Sequence, residues 1–240
     1  MPALTLPRAI TLDLDDTLWP VGPTLVAAEK TLTDWLQTHA PRTGSTLTPD
    51  SRASLRKAVL LDHPDQSHDL GFLRHEVLRR AMAQAGDDTA LADQAYAVFL
   101  AARQRVEFFA DVLPVLERWS SRYRLVAISN GNADLDRVGL GRFFAGAISA
   151  HEVGFAKPDP RMFHEACRIA GVGHTEVLHI GDDPHLDVIA ARKAGLQAAW
   201  IRRPMFAHRH APDACGPDAA APYEDLHAID AALHAADAQR

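Results

Sequence analysis

Four short stretches of this 240-residue chain carry side chains suited to chemistry on an anionic group. The first is Asp13-Leu14-Asp15-Asp16-Thr17. In extended backbone alternate side chains share a side, so Asp13 and Asp15 project together. Two adjacent carboxylates do not both ionise easily; they need a cation or divergent pKa values. That arrangement suits one nucleophile or metal ligand beside one proton carrier. The second stretch is Ser129-Asn130-Gly131-Asn132. A hydroxyl followed by backbone N–H groups at a helix start can hold phosphoryl oxygens. The third is Lys157-Pro158-Asp159-Pro160, where Lys157 offers a point positive charge. The fourth is Gly181-Asp182-Asp183-Pro184-His185-Leu186-Asp187, with three carboxylates of the type that binds a hard cation such as Mg²⁺.

Taken singly, each stretch also reads as ordinary punctuation. Asp13 to Thr17 can be an Asx turn, Asn130-Gly131 a tight turn, and Lys157 a solvated side chain. Asp183 before Pro184 can be a helix N-cap. Together they require unrelated turns to place Asp, Ser, Lys and Asp after successive strands. The joint pattern is far more specific than its parts.

The elements that position these loops follow from hydrophobic patterning. Apolar, often β-branched runs predict strands at Ala9–Leu12, Leu125–Ile128, Ala147–Ser149, Val177–Ile180 and Ala198–Ile201. Helical patterns fall between most of them, over Val112–Ser121, Asp159–Ala170 and Leu186–Ala194. Strands alternating with helices predict an α/β fold with a doubly wound, mostly parallel sheet. In such sheets ligands bind beyond the carboxyl ends of the strands, where the four stretches lie. Between Trp19 and Arg105 the pattern is helical throughout. Leu25, Ala28, Leu32, Trp35 and Leu36 recur at helix spacing, and Pro41 to Pro49 breaks that helix. Further helices are predicted from about Asp50, over Phe72–Ala85 and over Leu91–Arg105, with Asp87 or Asp88 as a cap after Gly86. Residues 1–18 and 106–240 are therefore expected to form the α/β core, and 19–105 an inserted helical domain. Pro204 to Pro222 reads as loop, with a final helix near Tyr223–Ala235.

Composition narrows the classes. The 47% hydrophobic content is too high for a disordered chain. No apolar run reaches the roughly 18–20 residues that span a bilayer, and Met1–Pro7 lacks the pattern of a signal peptide. The net charge of −6 argues against general nucleic-acid binding. Cys167 and Cys215 form no metal-binding pair, Cys167 reads as core, and a cytoplasmic location is expected. His208-Arg209-His210 reads as a solvated loop rather than a metal tract.

The four motifs, in this order, resemble the haloacid-dehalogenase superfamily, whose members are mostly phosphatases. The resemblance covers essentially the whole chain. It implies a Rossmann-like core, with the helical insertion as a cap. It further implies that Asp13 attacks phosphorus to form an aspartyl-phosphate. Asp15 would protonate the leaving oxygen and then activate water, with Thr17 orienting Asp15. Ser129 and the backbone N–H groups of Asn130 and Gly131 would hold the phosphoryl group, and Lys157 would offset its charge. Mg²⁺ would be held by Asp13, the carbonyl of Asp15 and Asp182, with Asp187 as a ligand or just behind. Asp183 is either metal support or a cap. Four carboxylates converging on a phosphate need such cations: two like charges 4 Å apart repel by about 4 kcal/mol at an effective dielectric of about 20.

Asp15 argues against dehalogenation, since a halide leaves without a proton. A phosphonatase would need a Schiff-base lysine; Lys30 and Lys57 are the candidates in the insertion and neither has a recognisable context. A phosphomutase shares every core motif and stays open, as does a non-catalytic phosphate- or flavin-binding module. The segments Asp13–Leu18, Ile128–Ala133, His179–Asp183 and Gly195–Arg202 look like those of bacterial phosphatases acting on flavin mononucleotide and on the phosphorylated pyrimidine of riboflavin biosynthesis. The implied partner is a small phosphorylated metabolite, with no nucleic acid or membrane, as monomer or homodimer. Trp19, Phe72 and the stretch from His68 and Asp69 to Arg74 and His75 are candidates to face the leaving group. Trp19 and Phe72 read equally well as core.

Overall fold

The computed structural model of the chain describes residues 5–211, 214–215 and 221–238. It contains two compact units. One comprises Met1–Pro20, Glu107–Gly131 and Leu135–Arg240; the other comprises Val21–Val106 and Asn132–Asp134. Trp19 and Pro20 thus group with the first unit, and Asn132–Asp134 with the second.

The first unit is an α/β fold around a five-stranded parallel sheet. Its strands are β1 (Ala9–Leu12), β2 (Arg124–Ser129), β3 (Gly146–Ser149), β4 (Val177–Gly181) and β5 (Gln197–Trp200), in the spatial order β3-β2-β1-β4-β5. The expected strand at Ala198–Ile201 is shifted by one residue; Ile201 makes a single bridge to Tyr223 instead. All four residues of β1 are buried, which is why it reads as an unbroken apolar run rather than an alternating one. Leu12 pairs with Ala127 and Ile180, and Ser129 with Ser149. This register brings the carboxyl ends of β1, β2 and β4 to one edge, and the Asp13 N–H continues the ladder to the Ile180 carbonyl at 2.9 Å.

The second unit is all helical. It contains α1 (Val21–His39), α2 (Pro41–Thr46), α3 (Pro49–Asp62), α4 (Leu70–Ala85) and α5 (Ala92–Arg103). Ala28, Leu32 and Leu36 of α1 pack with Leu78 and Met82 of α4 and Phe99 of α5. Leu55 and Val59 pack with Leu73 and Val77 in a second cluster. The segment expected only to break α1 folds as α2 after Pro41. Its buried Thr43 donates from N and Oγ1 to Asp87 Oδ2, at 2.7 and 2.8 Å. That contact also decides between the two acids after Gly86: Asp87 holds Thr43, while Asp88 caps the turn at Thr89–Leu91. Thr48 caps α3 and Asp69 caps α4.

The remaining helices belong to the α/β unit: α6 (Val112–Ser120), α7 (Ala150–Val153), α8 (Pro160–Ala170), α9 (Ala190–Lys193) and α10 (Leu226–Asp237). Helices α6 and α8 both pack against β2. The helix expected over Leu186–Ala194 is not regular. Pro184–Ile189 winds as a wider π-type turn before α9 begins, and such turns recur at functional sites. Pro204–Phe206 forms one 3₁₀ turn within the expected loop, part of which (212–213 and 216–220) lies outside the described residues. Among the described residues no helix is long and apolar enough to cross a membrane.

Candidate active site

Every residue singled out in the four motifs except Asn132 lies in the α/β unit. At its centre is Lys157, 5% exposed. Its Nζ donates to Asp13 Oδ1 and to Asp187 Oδ1, both at 2.6 Å. Asp13 leaves β1, Asp187 sits in the π-type turn after β4, and Lys157 follows β3 and α7. Three loops are thus joined by one ammonium group. Burial and the two carboxylates act oppositely on Lys157, and the carboxylates prevail, holding it charged well above its ordinary range.

Lys157 is itself held by Asn130. The Asn130 side chain accepts from the Lys157 N–H at 2.8 Å and donates to the Lys157 carbonyl at 3.0 Å. Sequence reasoning assigned Asn130 a backbone role toward phosphate and missed this amide clamp. Ser129 is 3% exposed, and its Oγ accepts the Gly131 N–H at 2.9 Å. The Gly131 N–H expected to face a phosphate is therefore turned onto the neighbouring hydroxyl. No helix follows; residues 135–139 are turns.

Asp187 is built in from several sides. Its Oδ1 also faces His179 Nε2 at 3.2 Å, and its Oδ2 accepts the Asp183 N–H at 3.0 Å. His179, fully buried in β4, is tethered by Thr11 Oγ1 at 2.8 Å. Burial raises the Asp187 carboxyl, but Lys157 and His179 overcome this and hold it ionised below the usual carboxylate range. Gly181 makes the approach possible. A Cβ there would fall 2.2 Å from Asp187 Cγ, so only glycine fits. Asp183 accepts from the N–H groups of His185 and Leu186 at 2.7 and 2.8 Å and so caps the turn that follows.

Asp13, Asp182 and Asp187 each offer an oxygen, all within 4.8 Å of one another. Burial pushes Asp13 up to about 7, with Lys157 opposing and Asp187 and Asp15 adding to the rise. Asp182 rises further, to about 9, through burial and then the charges of Asp13, Asp187 and Asp16. Fully ionised, three carboxylates beside one ammonium would leave an excess of negative charge in a buried space, and the raised Asp13 and Asp182 carboxyls reflect that burial and mutual repulsion. An all-oxygen donor set with that excess fits a hard divalent cation that keeps some of its waters. The Asp15 carboxylate lies outside this trio.

One expectation is corrected and one open alternative is decided at the first loop. Thr17 Oγ1 is buried and finds no hydrogen-bond partner among the described residues, so it does not orient Asp15. Trp19 does: its indole N–H donates to Asp15 Oδ1 at 2.8 Å. Trp19 is fully buried, with Phe108 tilted against it at 5.9 Å, so its face is not offered to a flavin. Of the remaining leaving-group candidates, Asp69, Phe72, Arg74 and His75 have structural partners within the helical unit. Asp69 caps α4, and Phe72 is half-buried with its ring edge-on to His63. Arg74 pairs with Glu29 at 2.5 Å above the Phe99 ring, and His75 pairs with Asp93 at 2.7 Å. His68 is half-buried. Lys30 is exposed and paired with Asp34, and Lys57 is exposed.

The family model for haloacid dehalogenase-like hydrolases matches residues 7–195. The chain belongs to the haloacid dehalogenase-like hydrolases. Among members of that family, it is 34% identical over 198 residues to the 5-amino-6-(5-phospho-D-ribitylamino)uracil phosphatase YigB of Escherichia coli, covering 81% of this chain and 83% of that protein. It is 34% identical over 139 residues to a phosphoserine phosphatase of Thermus thermophilus, covering 55% of this chain and 56% of the other. Among solved structures, a 2-haloacid dehalogenase from Pseudomonas syringae superposes with a TM-score of 0.87 at 36% identity, covering 96% of this chain and 99% of that one.

Proposed function

We propose that this hydrolase is a phosphatase that cleaves a small phosphorylated metabolite through an aspartyl-phosphate on Asp13. The observation that carries the reading is the buried Asp13–Lys157–Asp187 constellation with Asp15 two residues beyond the nucleophile. Asp13, at the end of β1, is the attacking carboxylate. Lys157 opposes the burial that raises the Asp13 carboxyl and faces the incoming phosphoryl oxygens. Asp15, steadied by Trp19, gives a proton to the leaving oxygen and recovers one from the attacking water. Ser129 and the Asn130–Gly131 backbone receive the phosphoryl group once the Gly131 N–H turns away from the hydroxyl. Asp13, the Asp15 carbonyl and Asp182 would hold Mg²⁺, with Asp187 bound to Lys157 behind them. When bound, that ion supplies charge neutralisation at the transferring group. The helical unit is read as the cap that selects substrate, and two buried free thiols, Cys167 and Cys215, suit a reducing cytoplasm.

Phosphatase names among the relatives support the phosphate chemistry. Flavin mononucleotide or a riboflavin-pathway phosphate is the favoured substrate, on the likeness to YigB over most of both chains. Dehalogenation is the second reading, favoured by the name of the similar Pseudomonas syringae structure. Asp15 weighs against it, because a departing halide needs no proton. A phosphomutase reading keeps the same residues and differs only in the acceptor. The test is turnover of a panel of phosphomonoesters, including flavin mononucleotide and sugar phosphates, beside a 2-chloro acid. Phosphate release from one of the esters is expected. Chloride release with no phosphate release would replace this reading with the second, and transfer to a sugar hydroxyl would replace it with the mutase.

A further inference from the structure

Arg203 is one of the most completely enclosed charges in the α/β unit, at 3% exposure. It follows β5 by three residues and belongs to none of the four motifs. Its Nη1 donates to both carboxylate oxygens of Asp111, at 2.9 and 2.8 Å. Its Nε and Nη2 donate to the Thr17 carbonyl, at 3.1 and 2.7 Å. Its guanidinium lies 4.1 Å from the centre of the Phe109 ring. Asp111 in turn accepts the Leu226 N–H at 2.6 Å.

The target of this fork is the loop that carries the nucleophile. Between Asp13 and Trp19 the backbone folds sharply: Asp16 N–H bonds to the Trp19 carbonyl at 2.7 Å, and Leu18 N–H to the Leu14 carbonyl at 2.8 Å. Asp16 sits at φ +60, a left-handed conformation that non-glycine residues rarely adopt. A conformation of that kind persists where its surroundings hold it. Arg203 holds the Thr17 carbonyl, and Arg209, six residues on, pairs with Asp16 Oδ2 at 2.6 Å. The base of this arm is itself anchored, since Arg202 N–H bonds to Tyr223 O at 2.7 Å and Tyr223 N–H to Trp200 O at 2.8 Å.

We infer that Arg203, braced by Asp111, is a positioning residue for the reaction: it pins the Thr17 carbonyl and so sets the loop that aims Asp13 and Asp15. The inference rests on the phosphatase reading for its kinetic consequence only. A planar fork is required, because a lysine can hold the carboxylate or the carbonyl but cannot span both with the same geometry. Displacing reacting groups by about 1 Å costs on the order of 100-fold in rate.

The experiment compares wild type, Arg203→Lys, Arg203→Ala and Asp111→Asn by p-nitrophenyl phosphate kinetics and by amide hydrogen exchange of the segment 14–19. In Arg203→Ala, kcat should fall on the order of 100-fold with KM nearly unchanged, and exchange at 14–19 should quicken. Guanidinium ion at low millimolar concentration should restore a good part of kcat by refilling the space, which a general loss of folding would not allow. Arg203→Lys should fall between. If Arg203→Ala does not fold, Arg203→Lys carries the same comparison. Wild-type kcat in a folded Arg203→Lys or Arg203→Ala, or unchanged exchange at 14–19, overturns the inference. If wild type releases no phosphate, the phosphatase reading fails, and the exchange result alone still upholds or overturns the role of Arg203.

Discussion

Asp15 and Trp19 show how much of a site depends on partners that no motif names. The D-x-D spacing of Asp13 and Asp15 was legible because side chains alternate along a strand. The indole hydrogen bond to Asp15 was not, because Trp19 carries only a general signature of burial. Trp19→Phe keeps an aromatic ring but removes the donor and some buried volume. It should lower kcat by about tenfold and stability by about 1–3 kcal/mol, measured by steady-state kinetics and thermal unfolding. The Asn130 clamp on Lys157, the His179 support of Asp187 and the Arg203 fork escaped sequence reading for the same reason. The clamp and the fork join residues far apart in the chain, and none of the three leaves a periodic trace. Thr17 is the opposite case: the resemblance assigned it a role, and its buried hydroxyl meets no partner among the described residues.

The elements themselves were largely legible. The strands β1, β2 and β4, buried on both faces along nearly their whole length, stand out as apolar runs with β-branched residues, and α1 and α4 show helix spacing. The turn at Pro184–Ile189 was not, because its wider winding answers to the demands of Asp187 rather than to local propensity. Gly181→Ala tests that dependence. A methyl group 2.2 Å from Asp187 Cγ forces the carboxylate aside, so activity should fall by at least about tenfold and stability by about 1–3 kcal/mol. Within the helical unit, α4 carries Glu76, which accepts from Arg79 at 2.7 Å and Arg80 at 2.8 Å, while Arg80 reaches Asp62 of α3 at 2.6 Å. Hydrogen bonds from Arg79, then Arg80, hold the Glu76 carboxyl down at about 2 against an ordinary 4.5. A depressed folded-state pKa stabilises above the unfolded value, and that contribution is lost as pH falls from 4.5 toward 2. Glu76→Gln should lose about 1–2 kcal/mol at pH 7 and show a flatter acid-unfolding profile over that interval, read by circular dichroism.

For the whole molecule, the net charge of −6 looks ill-suited to an anionic substrate until its placement is considered. Asp13, Asp182 and Asp187 concentrate negative charge around one lysine, which is the situation a divalent cation relieves. Added Mg²⁺ should therefore raise the thermal midpoint of wild type, and Asp182→Asn should blunt that rise, since a ligand that binds only the folded state stabilises it. Chelation should remove phosphatase activity, and Mg²⁺ should restore it. The central claim is that Asp13 is the nucleophile of a phosphatase. Its most direct test is p-nitrophenyl phosphate turnover in Mg²⁺ by wild type and Asp13→Asn, with folding checked by circular dichroism. The account predicts turnover by wild type and a loss on the order of 10⁴-fold or more in the variant. Undiminished turnover by a folded Asp13→Asn protein would contradict it.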